Sequence, residues 1–544
     1  MQKDRKPFAL SFSFPETFVE NVKQFLEKRA TLIIFFLLSM ISITSFLYYY
    51  SNGLGLSYND ARSHLDIGRR VVENLKPGFA QLGSVWLPLP HLLMTLTIWN
   101  DFMWHSGLSG AIQSMIAYIA TGILIYLFLK QLHVNLFGRF VGVIIFATNI
   151  NIIYMQSTAM TELLLLVTMT AGCYELLMWH KEETLFRLVK AAFWIMLATL
   201  IRYDGWFLFI FATLLVLFHT VRRYGYKTAE GVFVLFCTLG GFGIFLWLLW
   251  NQMIFKDALY FAFGPYSADA QQSQLEAAGV LGTKHNMLFS LQTYIYALIY
   301  NSGYLAIILS FAGMLLLWFD KRLKSHIRIA TIALLAPFFF NVLALYLGHS
   351  VLFVQGLSGN SWFNVRYGLM MMPSIAIFIG YLVYRVPALR WVIVGLLLFV
   401  TFFAYANYDA VTIDDARTGA SGKNVSEVSG WLRDHATKAN GYVLISVASH
   451  DAIVFSSGLP MKRFIHEGTG KYWDLVTAHP ERWARWIIMR TNDRNDLTFK
   501  ELEYNPSFRT KYTLVHHFPF ADIYELKPAY LGGLQVLPQI SNND

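Results

Sequence analysis

Charged residues are scarce in this chain of 544 residues: 14% are Asp, Glu, Lys or Arg, against 56% hydrophobic residues. Soluble domains carry roughly 25% charged residues, so a chain that is soluble throughout is excluded. Long apolar runs instead recur from Thr31 to about Tyr408. Each is near the length of about 20 residues that a helix needs to cross a bilayer. The sequence therefore predicts a multi-pass membrane protein.

The sequence also lacks the signatures of a disulfide framework and of a nucleotide-binding loop. Cys173 and Cys237 are the only cysteines, and both fall inside apolar runs, where a thiol behaves as a small apolar group. The region after residue 408 has no cysteine, so a disulfide framework there is excluded. That region also lacks a glycine-rich phosphate loop after its first predicted strand, which argues against nucleotide binding.

Eleven spans are predicted, and the cations between them set their direction. The spans cover residues 31–50, 108–131, 137–154, 158–179, 185–201, 205–221, 229–254, 296–319, 329–349, 367–384 and 391–408. Lys and Arg gather in every second connection, before residue 31 and near 130–139, 181–190, 222–227, 321–328 and 385–390. Cytoplasmic connections retain such cations, so the N-terminus is predicted to be cytoplasmic. These cations account for most of the net charge of +9, and nucleic acid is not an expected partner.

This topology divides the chain into three parts. Residues 1–30 are predicted to form a cytoplasmic amphipathic segment that rests on the membrane. Residues 31–408 form the transmembrane domain, with exported loops at 51–107, 255–295 and 350–366. Residues 409–544 form an extracytoplasmic α/β domain, because short strand-like runs there alternate with helix-like ones. Its predicted strands are 442–447, 486–490, 512–517 and 522–526, and its predicted helices are 425–437, 471–478 and 498–504.

The first exported loop carries an amphipathic helix from about Asn59 that ends before Pro77. Leu65, Gly68 and Val72 recur on one side at helical spacing, and the charged residues fall on another. The pattern predicts a helix that lies at the membrane surface. A second, more apolar helix is predicted from Trp86 to about Trp104.

Five ionisable residues are predicted at the outer ends of different spans: Asp60, Glu162, Arg202, Asp204 and Arg366. Such groups cost on the order of 2.5–3.5 kcal/mol each inside hydrocarbon, so their placement is informative. Each has a simpler explanation as a helix cap, a local ion pair or a side chain that reaches the headgroups. Their common side of the membrane indicates instead a cavity that opens to the outside.

The chain resembles the GT-C superfamily of integral-membrane glycosyltransferases. The resemblance rests on YNDARSH in the first loop, a Thr161-Glu162 pair, an RYDGW turn from Arg202 and a late VRYGL segment, followed by a soluble domain. Within the superfamily the chain is similar to relatives of the protein O-mannosyltransferases and of the lipid A aminoarabinose transferase. The resemblance implies that Asp60 is the general base and that Arg366 binds the lipid phosphate of the donor. Those relatives place Asp-Glu together in the first loop, whereas this chain has one acid, Asp60.

The chemistry of sugar transfer outside the cytoplasm leads to the same expectation. Sugar nucleotides are cytoplasmic, so a transferase that faces outward needs a donor carried by a membrane lipid, such as a polyprenyl-phosphate sugar. Transfer to a hydroxyl of a glycan, glycolipid or protein then needs a base and cations for the departing phosphate, and we expect inversion. The predicted phosphate-binding residues are Arg366, Lys284, His285 and Arg202. The predicted cavity residues are Arg62, His64, Glu162, Asp204, Tyr266 and Tyr367.

Three alternatives stay open. Asp60, Glu162 and Asp204 carry hard oxygen ligands, which would suit Mg²⁺ or Mn²⁺ in a metal-dependent, oligosaccharyltransferase-like transfer from a lipid diphosphate. No cofactor is firmly implied, and a catalytic metal is not the expected case. A lipid or sugar transporter would need charged groups near the middle of the membrane, where Glu175 is the clearest candidate. A scaffold that works through its outer domain is the third.

Overall fold

The computed structural model describes residues 16–264, 267–419 and 425–538, and Tyr266 lies outside them. The first half contains α1 (Glu16–Ser51), α2 (Asn59–Val72), α3 (Leu89–Met94), α4 (Asp101–His105), α5 (Leu108–Gln131), α6 (Leu136–Ala147), α7 (Ile150–Gln156), α8 (Glu162–Glu182), α9 (Leu185–Thr199), α10 (Asp204–Tyr224) and α11 (Tyr226–Phe255). The second half of the helical region contains α12 (Tyr260–Phe263), α13 (Ala268–Ala277), α14 (Met287–Ser302), α15 (Tyr304–Phe319), α16 (Ser325–Ala330), α17 (Ala336–Leu347), α18 (Met372–Arg385), α19 (Arg390–Ala406) and α20 (Val411–Arg417).

The prediction of a multi-pass helical membrane protein is confirmed. Among the described residues, eight helices are long and apolar enough to cross a membrane, and two bent pairs raise this number to ten. The centre of the bundle is formed by α8 and by Val365–Arg385, each with 89% of its apolar stretch buried. The segment Arg390–Arg417 has 11% buried and lies at the periphery.

Three of the eleven predicted spans need correction. The run 137–154 is divided into α6 and α7, which meet at 63°, because the side chain of Asn149 caps α7. The run 296–319 belongs to α14 and α15, which meet at 108° around Gly303, whose φ of +83° suits glycine. The run 185–201 contains α9, whose 15 residues extend for only about 22 Å. Each break lies inside an apolar run, where hydropathy alone gives no signal.

The loop helix α2 does not lie at the membrane surface as predicted. Ten of its fourteen residues are buried, because it is enclosed between the bundle and the C-terminal domain. Its charged side chains find protein partners there: Arg69 donates to Asp101 at 2.6 Å and stacks on Trp104. Partners of this kind let a polar face be buried instead of hydrated. The second predicted helix of this loop is two short ones, α3 and α4.

The C-terminal domain is a small α/β unit, as predicted. Its elements are α21 (Ser426–Ala436), β1 (Tyr442–Ile445), α22 (Val447–Ser457), β2 (Phe464–Ile465), α23 (Lys471–Ala478), β3 (Ala484–Met489), α24 (Leu497–Leu502), α25 (Pro506–Lys511), β4 (Tyr512–His517) and β5 (Asp522–Leu526). The sheet order is β2-β1-β3-β5-β4, with β1 parallel to β2 and β3, and β5 antiparallel to β3 and β4. The two-residue strand β2 was not predicted. Helix α22, which follows β1, packs directly on α2 and brings the sheet to the bundle.

The crossing of α15 and α18 offers a test of this packing. A Cβ at Gly313 would overlap the backbone carbonyl of Phe378, which has no rotamer that could relieve the clash. Gly313→Ala is therefore expected to destabilise the protein by about 1–3 kcal/mol, the usual effect of overpacking. Thermal unfolding of the protein in detergent measures this. Gly395→Ala is the control, because the Cβ meets nothing there, and an equal effect of both variants would contradict the close crossing.

Candidate active site

A buried arginine lies where the bundle meets the C-terminal domain. Arg366 is 2% exposed, and its guanidinium binds two carboxylates: Asp60 at 2.6 Å and Glu162 at 2.9 Å. A third carboxylate, that of Asp415 on α20, lies 3.9 Å from Nη1. The ring of Tyr58 stacks under the guanidinium at 4.8 Å. One cation thus joins three distant parts of the chain.

The local backbone turns Arg366 inward. It lies in a 3₁₀ helix, Val365–Met371, that leads into α18. Asn364 just before it adopts the left-handed conformation at φ +54°, a conformation that asparagine tolerates, and its amide donates to the Val351 carbonyl. The amide of Asn301, near the end of α14, donates to the Val365 carbonyl at 2.8 Å. These side-chain bonds replace the backbone partners that a tight turn leaves unsatisfied.

A second arginine extends the network. Arg202, between α9 and α10, donates to Glu162 at 3.3 Å and to Asp204 at 3.4 Å, and stacks on the ring of Tyr367. Asp60, Arg366, Glu162, Arg202 and Asp204 therefore form an alternating chain of charges, which we name the charged cluster. The structure brings together all five residues that the sequence placed at the outer ends of spans. The local pair of Arg202 with Asp204 forms as well, inside the larger network.

Exposure distinguishes the acids of the charged cluster. The side chain of Asp60 is 35% exposed, whereas those of Glu162 and Asp204 are 0% and 4% exposed. A buried carboxylate is stable only when paired, so Glu162 and Asp204 are suited to hold the arginines in place. Asp60 is the carboxylate that a substrate can reach.

Asp60 opens onto a cavity of about 870 Å³ between the bundle and the C-terminal domain. One face of α2 lines it, with residues spaced three or four apart: Asp60, Ser63, His64, Ile67 and Arg70. The bundle wall includes Arg202, Asp204, Arg366 and Tyr367. The opposite wall belongs to the C-terminal domain and includes His450, Asp451, His466 and Glu467.

The other predicted site residues divide into two groups. His64 and Tyr367 line the cavity. Arg62, Lys284 and His285 are not among its described lining residues: Arg62 donates to the Leu56 carbonyl, Lys284 pairs with Glu276, and His285 donates its backbone N–H to the carbonyl of Tyr346. Tyr266 lies outside the described residues.

Sequence reasoning missed part of the cavity wall. Asp451 accepts a hydrogen bond from Ser63 at 2.6 Å and joins the C-terminal domain to α2. Asp415 was not singled out, because nothing in the sequence relates it to Arg366. The spacing of Ser63, His64 and Arg70 after Asp60 was the one signal that could have identified a cavity-lining face.

Burial makes this part of the cavity less charged than its composition suggests. Desolvation, with Arg202 and Arg366 nearby, lowers the pKa of His64 to about 3, so this histidine is neutral and shares a proton with His91 at 2.9 Å. Burial likewise lowers the pKa of His466 well below its usual range. Burial raises the pKa of Asp451. His64 and His466 are thus neutral hydrogen-bonding groups on the cavity wall.

The residues do not fit the metal alternative. Within the described ranges, no group of three or more His, Cys, Asp or Glu side chains has a geometry that could hold a metal ion. Asp60, Glu162 and Asp204, the three acids considered for this role, are each bound by an arginine. The contacts therefore describe a site built on guanidinium–carboxylate pairs.

The helix bundle, the charged cluster and the C-terminal α/β unit together define a polytopic membrane protein with a buried polar site between the bundle and a small C-terminal domain. This is the GT-C fold, as the sequence predicted. One similar solved protein is ArnT from Cupriavidus metallidurans, a GT-C lipid A aminoarabinose transferase. Its structure bound to undecaprenyl phosphate and its structure in the apo state each match over 91% of this chain and 99% of their own chain, with a TM-score of 0.52 and 10% identity. The archaeal oligosaccharyltransferase AglB from Archaeoglobus fulgidus matches over 93% of this chain and 75% of its own, with a TM-score of 0.46 and 12% identity. No protein-family model and no curated protein matches the sequence.

The pairing of Arg366 can be tested by its removal. Arg366→Gln leaves Glu162 with Arg202 as its only described cationic partner, so we expect a loss of about 3 kcal/mol in the free energy of unfolding, the lower end of the range for breaking a buried pair. Thermal unfolding in nanodiscs measures it. Arg433→Gln removes an exposed arginine paired with Asp434 and serves as the control. Equal stability of both variants would mean that the charged cluster contributes little to the fold.

Proposed function

We propose that this protein is a glycosyltransferase that moves a sugar from a polyprenyl-phosphate donor to an acceptor hydroxyl on the outer side of the cell membrane. The observation that carries this proposal is the reachable Asp60 carboxylate held 2.6 Å from the buried Arg366 on the wall of a large cavity. The shared fold supports it, because ArnT has been solved with undecaprenyl phosphate bound. A base beside a phosphate-binding cation is what such a transfer requires.

Each step of the transfer has a candidate group. The acceptor oxygen forms a bond to the anomeric carbon while the bond from that carbon to the phosphate oxygen breaks, with inversion. Asp60 takes the proton of the acceptor hydroxyl, a contribution of typically 10²–10⁴-fold. The electron pair of the broken bond passes to the lipid phosphate, whose charge Arg366 and Arg202 stabilise.

Arg366 is suited to this role because part of it is uncommitted. Its Nη1 is buried and has no hydrogen-bond partner within the described residues, while Nε and Nη2 are held by Glu162 and Asp60. A phosphate oxygen at Nη1 would satisfy this donor with a charge-assisted bond. A phosphate that draws the guanidinium toward itself competes with Asp60 for Arg366 and frees this carboxylate to accept the proton of the acceptor hydroxyl.

The lipid carrier follows from the location of the cluster. We infer that the cluster lies at the level of lipid headgroups, because Glu162, Asp204 and Arg366 occupy the first turns of segments that are long and apolar enough to cross a membrane. A sugar attached to a membrane lipid presents its reactive bond at that level. With the N-terminus in the cytoplasm, as the cation pattern predicts, the cavity faces outward, where glycans, glycolipids and proteins are the acceptors.

The transporter alternative is less well supported. It needs charged groups along a path through the middle of the membrane. Glu175, the candidate for such a group, lies toward the other end of α8 and pairs with Arg187 at 3.0 Å beside the predicted cytoplasmic connection. The charges of the cluster lie together at one level and pair with one another.

Asp60→Asn tests the proposed function. We expect binding of undecaprenyl phosphate to persist while transfer falls by about 10²–10⁴-fold, because the base is lost and the phosphate site is kept. The purified protein in nanodiscs is incubated with a panel of synthetic undecaprenyl-phosphate sugars and envelope extract as acceptor, and released undecaprenyl phosphate is quantified by mass spectrometry. Asp474→Asn, at an exposed carboxylate of the C-terminal domain, is the control. Unchanged release in Asp60→Asn would eliminate this residue as the base, and no release by the wild type from any donor would count against the transferase.

A further inference from the structure

One arginine on the cavity wall forms no direct ion pair with any described residue. Arg70 is 8% exposed and lies near the end of α2, on the face that lines the cavity. Its Nη1 is buried without a hydrogen-bond partner, and no ion pair of Arg70 occurs in the part of the chain that the structure describes. Arg202, Arg366 and Arg490, the other arginines along the described cavity wall, each pair with a carboxylate.

Asp66, Asp451 and Glu467 interact electrostatically with Arg70, but the hydrogen bonds that they accept come from other groups. Asp66 accepts from the indole N–H of Trp104 at 3.1 Å, and burial raises the pKa of this carboxyl well above its usual range. Asp451 accepts from Ser63. Glu467 accepts from the backbone N–H groups of Val447 and Ala448 and so stabilises the start of α22. A guanidinium stays charged at any physiological pH, so Arg70 retains a positive charge that these contacts do not satisfy.

This arrangement is costly unless a ligand completes it. Leaving a buried charged donor without a partner costs more free energy than leaving a neutral donor without one. Ser84 and His466 line the same cavity, whose volume of about 870 Å³ leaves room for a bound group. An unpaired guanidinium at the wall of a cavity is suited to bidentate binding of a phosphate or a carboxylate.

We propose that Arg70 forms a second anion-binding subsite, which takes a phosphate or carboxylate group carried by the acceptor. This inference rests on the proposed transfer reaction. Ten residues of helix separate Arg70 from Asp60, which is about 15 Å along the axis of α2. The charged group of the acceptor is thus held well away from the hydroxyl that reacts at Asp60.

The test compares charged and neutral sugars on the full-length protein in nanodiscs, with undecaprenyl phosphate present to fill the donor site. Dissociation constants are measured for glucose 6-phosphate, glucuronate and glucose. We expect the wild type to bind at least one charged sugar about tenfold or more tightly than glucose, as a charge-assisted hydrogen bond allows. The two charged probes distinguish a phosphate from a carboxylate ligand. Equal affinity for all three sugars would overturn the proposal.

Arg70→Gln is expected to abolish the preference for the charged sugar, and Arg70→Lys to weaken it, because lysine keeps the charge and loses the bidentate geometry. Arg433→Gln, at an exposed helix position, should behave as the wild type. If Arg70→Gln does not fold, the wild-type and Arg70→Lys comparisons decide alone. A preference that survives in the folded Arg70→Gln variant refutes the subsite.

Undecaprenyl phosphate binding separates this inference from the proposed function. We expect Arg70→Gln to bind undecaprenyl phosphate as the wild type does, and a tenfold loss would assign Arg70 to the donor site and overturn the proposal. If the wild type itself fails to bind undecaprenyl phosphate, the proposed function fails. The preference for charged sugars, measured without the lipid, would still report on Arg70.

Discussion

The structure depends on the burial of one guanidinium. Arg366 is removed from water at the start of a central helix, and a charge in that position is stable only when several acids surround it. Those acids come from α2, α8 and α20, which are far apart in the sequence. The pairing therefore fixes the position of the loop after α1 against the bundle and binds the segment after α19 to both. The fold and the site are stabilised by the same contacts.

Helix α2 transmits this constraint to the C-terminal domain. Asp60, in the first turn of α2, binds Arg366. Ser63 donates to Asp451 of α22, and Arg69, on another face, donates to Asp101. A helix with charged residues on several faces would be poorly placed at a membrane surface, where only one face meets water. Between two folded units, each face finds a partner. The cavity lies in the gap between the bundle and the C-terminal domain, and α2 bridges this gap.

The sequence was sufficient to predict the charged cluster but not the whole wall around it. Asp60, Glu162, Arg202, Asp204 and Arg366 were predictable because an ionisable side chain at the end of an apolar run is costly and therefore conspicuous. Asp415, Asp451 and Arg70 lie in polar segments, where charge is ordinary and gives no signal. Breaks within apolar runs were missed for the opposite reason: Asn149 and Gly303 redirect the backbone without changing hydropathy. The strand β2 is too short for a periodic pattern.

On the proposed function, the pairing of Asp60 with Arg366 links donor binding to the release of the base. In the structure, Glu162 and Asp60 hold Nε and Nη2 of Arg366, and Nη1 has no hydrogen-bond partner within the described residues. On the proposed function, a donor phosphate that reaches Nη1 of Arg366 competes for the cation and releases the base in the same movement. Proton removal from an acceptor would then follow donor binding and would not precede it. The contact between Asp60 and Arg366, which stabilises the fold in the absence of substrate, is thus the contact that the donor phosphate displaces.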